Sequence, residues 1–386
     1  MNNNLKFLVS LGLSGVLSLS FFTSCNPSEN QCETESTQES FSNEETTVSS
    51  TELTSNEEST SSSDELTFTE ESTSSEKVPS QSEDVGSKGL AYVANEDGKT
   101  CTVAGLGTCK DTQIVIPRAF EGLSVTAIGA RAFEDCENLV GVEIPEGITV
   151  IEESAFAECS SLKKITIPNS VKTIGNNAFY ACGSLQSAVI GSGVTAIGDS
   201  AFYSCFGMTE IEIPDSVQSI GMNAFRYCSG LKKLVIGNGV ETIGDSAFYE
   251  CTSLTNVEIP DHVTSIGAYA FFQCTELERV NFGKGLESIG NSAFNSCRKL
   301  KSVEIPDSVT AIGEWVFYQC NALTDVFLGT GVKTMGQSLF NGCMNLAEIR
   351  YSGTKAQWEA IEKDTYWKDF SMLTSVVCSD GVITIG

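Results

Sequence analysis

The sequence predicts an α/β-type repeat solenoid, in which coils of 23 residues stack and a parallel sheet forms one face. Three observations carry this reading. Cysteines recur at 136, 159, 182, 205, 228, 251, 274, 297, 320 and 343, each 23 residues from the last. Phenylalanines keep the same register at 133, 156, 179, 202, 225, 248, 271, 294, 317 and 340. Ile-Gly pairs follow it too, among them Ile174-Gly175, Ile220-Gly221 and Ile266-Gly267. A fixed period of this length marks a repeat architecture in which no unit can bury its apolar side alone.

Within one unit, Val257 and Ile259 alternate with Asn256 and Glu258, the period of two of a short strand with one buried face. Pro260, or a glycine in sister coils, ends the strand. Val263 and Ile266 are apolar at a spacing of three, Gly267 is read as a tight turn, and Ala270-Phe271 packs inward. Each strand is expected to pair in parallel with the next coil's strand. At about 4.8 Å per strand, ten or eleven coils make a rod of about 50 Å.

These units, reading Cys251-x-x-Leu254-x-x-Val257-x-Ile259-Pro260 and then Val263-x-x-Ile266-Gly267 and Ala270-Phe271, resemble the leucine-rich repeats of the BspA-like family of bacterial surface proteins. The resemblance covers about Gly89 to Gly386. Glu152 stands where the pattern has the glycine of Ile-Gly, Met208 where it has leucine, and Met335 where it has isoleucine. The resemblance implies a leucine-rich repeat fold, and adhesion as the activity.

The two ends read as caps, which shield a sheet edge that would otherwise be open. Tyr92 to Pro117 is the N-terminal cap, with Ile114-Val115-Ile116-Pro117 as its strand, and five residues more than in later coils separate Pro117 from Val125. At the other end, Tyr351 to Trp358 leads into a short helical pattern through about Lys363, and Val376-Val377-Cys378 reads as a closing strand. Trp358 and Trp367 are read as cap packing.

Ahead of the repeats, Lys6 precedes an uncharged apolar run from Phe7 to Phe22, followed by Thr23-Ser24-Cys25. A run of 16 residues is short for a permanent span and suits a signal-peptide core. The arrangement resembles a bacterial lipoprotein signal, which implies lipidation of Cys25, with Phe22 where such signals have an aliphatic residue. From Asn26 to Lys88 there are 16 acidic and 2 basic residues with 27 Ser or Thr. Such a stretch buries too little apolar surface to order itself and reads as a solvated, self-repelling tether. The domain map is therefore 1–24 signal peptide, 25–88 tether, 89–351 solenoid with its N-terminal cap, and 352–386 C-terminal cap.

The net charge of -27 argues against nucleic acid as a partner, because a phosphate-binding surface needs clustered Lys and Arg. The membrane is expected to be met only through the lipid. One histidine, His262, follows Asp261 in a turn, and no Cys-x-x-Cys, nucleophile elbow or Walker loop is present. The chain reads as a non-enzyme with no cofactor and no metal. The ladder cysteines read as buried thiols, since stacking holds neighbours farther apart than a disulfide prefers. Cys101 and Cys109, outside the ladder, are the candidates for a bridge.

The candidate binding face lies seven residues after the ladder cysteines. There stand Val189, Glu212, Val235, Glu258, Asn281, Glu304, Phe327 and Arg350, with Arg279 beside them. From Val189 onward, Pro-type coils place Glu at this position and Gly-type coils place Val, Asn or Phe, so the repeat is effectively a 46-residue pair. The alternation keeps like charges on adjacent strands apart. It also leaves Val189, Val235 and Phe327 as apolar positions on an outward face, with Phe327 read as the anchor. The expected function is that of a monomeric, cell-surface binding or adhesion module for an extracellular macromolecule, a protein in the leading reading. The alternatives are a carbohydrate or cell-wall module using Trp358 and Tyr351, and a spacer without a ligand.

Overall fold

The computed structural model describes residues 86–385. The signal peptide, Cys25 and all but the last residues of the tether lie outside the described residues. No helix among them is long and apolar enough to cross a membrane. The described part begins slightly ahead of the expected boundary: Ser87 already joins the fold, donating its N–H to the carbonyl of Val115 and accepting from the Val115 N–H through its hydroxyl.

The expected strands form and pair in parallel, one coil to the next, with residues 23 apart in register. Ser187–Ile190, for example, pairs with Lys164–Ile167 on one side and with Glu210–Ile213 on the other. This ladder is divided in two, between Lys233–Ile236 and Asn256–Glu258. A second parallel ladder, not anticipated from the sequence, runs beside it. The Val-x-x-Ile segment of each coil supplies a two-residue strand, such as Thr242–Ile243 or Ser265–Ile266, and this ladder is continuous from the N-terminal cap to Glu362–Lys363. Among the described residues the one α-helix is Lys355–Glu359, and turns fill the rest of each coil.

Those turns form a third hydrogen-bonded ladder. Asn177, Phe179 and Ala181 donate their N–H groups to the carbonyls of Asp199, Ala201 and Tyr203 in the next coil, and the pattern repeats up the stack. The first and the last of these three donors adopt the left-handed conformation. Asn177 and Ala181 do so at φ 55°, and Ser200, Ser204, Ser246 and Glu250 follow in equivalent places. Two left-handed residues per coil, almost none of them glycine, correct the reading of Gly267 as the turn residue. Gly267 is required for space: a Cβ there would lie 2.6 Å from the Asp245 backbone nitrogen of the preceding coil.

This geometry carries a measurable consequence. A left-handed L-residue costs about 1–2 kcal/mol, and glycine in its place gives back about 0.5–1 kcal/mol in chain entropy. Ala181→Gly is therefore expected to raise stability by about 0.5–1 kcal/mol. Gly342, at φ 81°, already occupies the equivalent site. Ala178→Gly, three residues away at a buried site without positive φ, should do the reverse. Urea midpoints of the two variants moving together would remove the explanation.

Between the ladders lies the core. The ten phenylalanine rings stack at centroid spacings of 5.1–5.9 Å with interplanar angles of 2–15°. All ten are fully buried. The ladder cysteines from Cys159 to Cys343 are buried beside them, and each thiol points at the carbonyl of the phenylalanine 26 residues earlier, as Cys228 does to Phe202 at 3.2 Å. All described cysteines are free thiols, Cys101 and Cys109 included.

The caps finish the ladders. The five extra residues after Pro117 make a hairpin, in which Ala119–Phe120 pairs antiparallel with the start of Leu123–Ile128. In the C-terminal cap a short helix, Lys355–Glu359, starts at Thr354 in a capping box with Gln357. Ser375–Cys378 pairs in parallel with Glu348–Tyr351, but the closing strand is Gly381–Thr384, which folds back antiparallel on it. Trp358 is buried, with its ring 5.5 Å from Tyr351 and 5.9 Å from Trp367.

Candidate functional site

The strand pleat decides which side chains face out. Along Glu210–Ile213 the pattern is exposed, buried, exposed, buried, so Glu210 and Glu212 project while Ile211 and Ile213 enter the core. The candidate residues therefore do form columns on one face, with a second outward column two residues earlier that contains Lys164, Glu210 and Lys233, exposed, and Ser187, half-buried.

The division of the strand ladder splits this face. On the N-terminal side, Val189 stands in register between Thr166 and Glu212, and Glu212 between Val189 and Val235. Val189 is 58% exposed and Val235 39%. Both line a groove of about 450 Å³ with Glu210, Glu212 and Lys233. Two valines held on β-strands, each flanked by a carboxylate, form an apolar surface whose position is fixed by the backbone.

On the C-terminal side the same columns are satisfied internally. Asn281 donates its side-chain amide to Glu258 at 2.7 Å. Glu304 faces Phe327, and Phe327 faces Arg350. The Arg350 guanidinium lies 5.0 Å from the Phe327 ring centroid, a cation–π arrangement that leaves the ring only half exposed. Arg350 is also 3.7 Å from Glu348 and 4.0 Å from Asp325. Phe327 is thus one half of a stacked pair and not the bare anchor expected from its position. Arg279 is exposed and registers with Asn256 and Ser302. A larger groove of about 560 Å³ runs past Asn281, Glu304 and Phe327.

The sugar-stacking alternative loses its residues, because Trp358 and Tyr351 are both buried in the C-terminal cap. His262 is exposed in its turn. Among the described residues no group of three or more His, Cys, Asp or Glu is placed to hold a metal ion.

The 46-residue alternation also has a cause that the charge argument missed. In each Pro-type coil the Pro-Asp or Pro-Asn turn packs directly on the Gly-x-Gly turn of the next coil. Asp215 accepts the N–H of Asn238 at 2.7 Å, and Asn169, Asp261 and Asp307 do the same for Ser192, Lys284 and Thr330. A Cβ at Gly239 would lie 1.9 Å from the Asp215 carbonyl oxygen. Coils are therefore locked in pairs, and Val189 and Val235 both sit on coils that accept such a lock.

Sequence reasoning also missed an aromatic ridge on the turn side. The residue after the core phenylalanine is Tyr180, Tyr203, Arg226, Tyr249 and Phe272 in five successive coils. Tyr180 stacks on Tyr203 at 4.8 Å, Arg226 lies over Tyr249 at 4.1 Å, and Tyr249 stacks on Phe272 at 4.7 Å. The signal was present as a run of large residues in one register.

A family model described as "BspA type Leucine rich repeat region (6 copies)" matches residues 126–255 and 241–369. Among solved structures, the chain is similar to a leucine-rich repeat protein from Bacteroides ovatus, at 28% identity over 75% of this chain and 80% of that one, with a TM-score of 0.61. It is also similar to a leucine rich cell surface protein from Faecalibacterium prausnitzii, at 26% identity over 74% and 100% of the two chains with a TM-score of 0.38. The pneumococcal vaccine antigen PcpA matches at 21% identity over 76% and 73%, with a TM-score of 0.46. No curated protein matches the chain.

Proposed function

The chain belongs to the BspA-type leucine-rich repeat family, and on that premise we propose that it is an exported binding module that holds an extracellular protein on its strand face. The observation that carries this reading is the pair Val189 and Val235, apolar, outward-facing and fixed in register around Glu212. Rigid apolar positions with a charged rim suit a protein partner, whose fully enclosed contacts supply most of the binding energy. In this reading a lipid on Cys25 anchors the chain to the membrane and the acidic tether carries the solenoid clear of the surface. A solenoid specifies a surface better than a reaction, and no catalytic role is assigned to it.

The test is capture of the full chain on immobilised matrix proteins, with glycans and whole cell wall as parallel arms, at about 50 and about 300 mM salt. Saturable binding to protein is expected. Val189→Ser with Val235→Ser should weaken it about tenfold or more while the melting temperature stays within a few degrees. Capture by protein that ignores both substitutions moves the site elsewhere, and retention on glycan or wall alone overturns the protein partner.

A further inference from the structure

From the turn side, independently of the strand face, we propose that two copies of this chain associate antiparallel through the aromatic ridge, about a two-fold axis over Cys228. The ridge is the column Tyr180, Tyr203, Arg226, Tyr249 and Phe272. Four residues further along each coil runs a parallel column of Ser184, Gly207, Gly230, Ser253 and Glu276. Large side chains and, up to Ser253, small ones thus lie side by side across the buried cysteines, and Glu276 at the end of the second column pairs with Lys299. Phe206, between the columns, is 55% exposed and packs over Gly183, where any Cβ would meet its ring.

Such a surface is complementary to itself. In an isologous contact each patch meets its own copy reversed, so a ridge beside a groove closes on a second ridge and groove. Over Cys228 the operation sets Tyr203 on the partner's Ser253, Arg226 on the partner's Gly230, Tyr249 on the partner's Gly207 and Phe272 on the partner's Ser184. It sets Tyr180, whose hydroxyl can donate, on the partner's Glu276.

The charges at the ends obey the same axis. Glu158 lies three coils below it, exposed, next to Glu134, Asp135 and Glu137. Asp135 raises the Glu158 carboxyl above its ordinary value, and Arg131 at this corner pairs with Glu134 at 3.4 Å, leaving the other carboxylates in excess. Three coils above the axis, Arg298 is exposed with Lys299 beside it. Antiparallel docking brings Glu158 of each copy to the partner's Arg298, whereas parallel docking brings like to like. The ring faces argue for a protein occupant over a glycan, since Tyr180 and Tyr203 cover each other and present edges.

The experiment is sedimentation equilibrium of the full chain carrying Cys25→Ser, so that a lipid cannot drive association. A monomer–dimer equilibrium is expected, with a dissociation constant on the order of 10 μM that weakens with salt. Ser253→Arg, which fills the seat of Tyr203, should raise that constant about tenfold or more without changing the circular dichroism. Glu158→Arg alone and Arg298→Glu alone should each weaken the dimer, and the two together should restore it. A chain that stays monomeric to about 1 mM, or a dimer that ignores Ser253→Arg, overturns the proposal. So does a double charge swap that fails to recover the dimer. If the chain is monomeric and Ser253→Arg abolishes its capture on matrix protein, the face belongs to a foreign partner.

Discussion

Raising the pH above about 9 is expected to unfold the solenoid over one to two pH units, far more steeply than a chain of ordinary surface charge. Nine ladder thiols, Cys159 to Cys343, are buried. Burial pushes Cys182, Cys228 and Cys343 up to about 12, and the other six also stand well above the ordinary thiol range. In the unfolded chain the same thiols ionise near about 8.5. Below that pH both states hold the protons, and the thiols leave stability unchanged. Above it only the unfolded state releases them, so each thiol removes about 1.4 kcal/mol per pH unit until the folded group titrates in its turn. Nine together remove about 12 kcal/mol per unit, comparable to the whole stability of an ordinary domain.

Urea midpoints at pH 8, 9, 10 and 11 under reductant would display this slope, and each Cys→Ala substitution should make it shallower by one thiol's share. Stability that holds level from pH 9 to pH 11 would sink the argument. Alanine is not free at pH 8 either. Cys228 lies within sulfur hydrogen-bond distance of the Phe202 carbonyl, so its removal leaves that buried oxygen without the contact. The ladder therefore explains the choice of cysteine at this position: a small apolar side chain that still offers a weak donor.

Much of this was legible in the chain. The period of 23 fixed the register of every strand, because a buried face tolerates no slip of one residue. The alternation of Val257 and Ile259 with Asn256 and Glu258 identified the outward column correctly. What escaped was the relation between coils. The second ladder depends on two-residue strands such as Ser265–Ile266, too short to show a period of two. The left-handed turns fall on Asn, Ser, Ala, Glu and Tyr, which carry no common signature for that conformation. Phe327 was placed on the right face, but Arg350 covers it from the next strand, and a single column read in isolation cannot show which neighbours stack. The Gly-x-Gly motif is local in sequence, but its reason lies 23 residues earlier in the Pro-Asp turn, as Gly239 shows against Asp215.

That last relation yields the sharpest single substitution. Gly239→Ala is expected to destabilise the protein by at least about 3 kcal/mol, beyond the usual cost of one added methyl group. Its Cβ would sit 1.9 Å from the Asp215 carbonyl oxygen, 3.0 Å from its carbonyl carbon and 3.2 Å from the Val217 oxygen. These are backbone atoms of the turn that joins the two strands of the preceding coil, so no flexible side chain can move aside. Positive φ plays no part, since Gly239 has none. Gly98 is the matched control: it sits at φ 64° with nothing within 4 Å of a new Cβ, so Gly98→Ala should cost only the strain of the left-handed conformation, about 1–2 kcal/mol. Asp215→Ala should cost about 1 kcal/mol, through loss of the hydrogen bond from the Asn238 N–H. If coils are locked in pairs, the order of urea midpoints must be wild type, then Asp215→Ala and Gly98→Ala close together, and Gly239→Ala well below both. Gly239→Ala ranking with Gly98→Ala would mean that the Pro-type and Gly-type coils merely alternate. The order predicted here makes the pair the folding unit, and makes the lock what holds Val235 in register with Glu212 on the binding face.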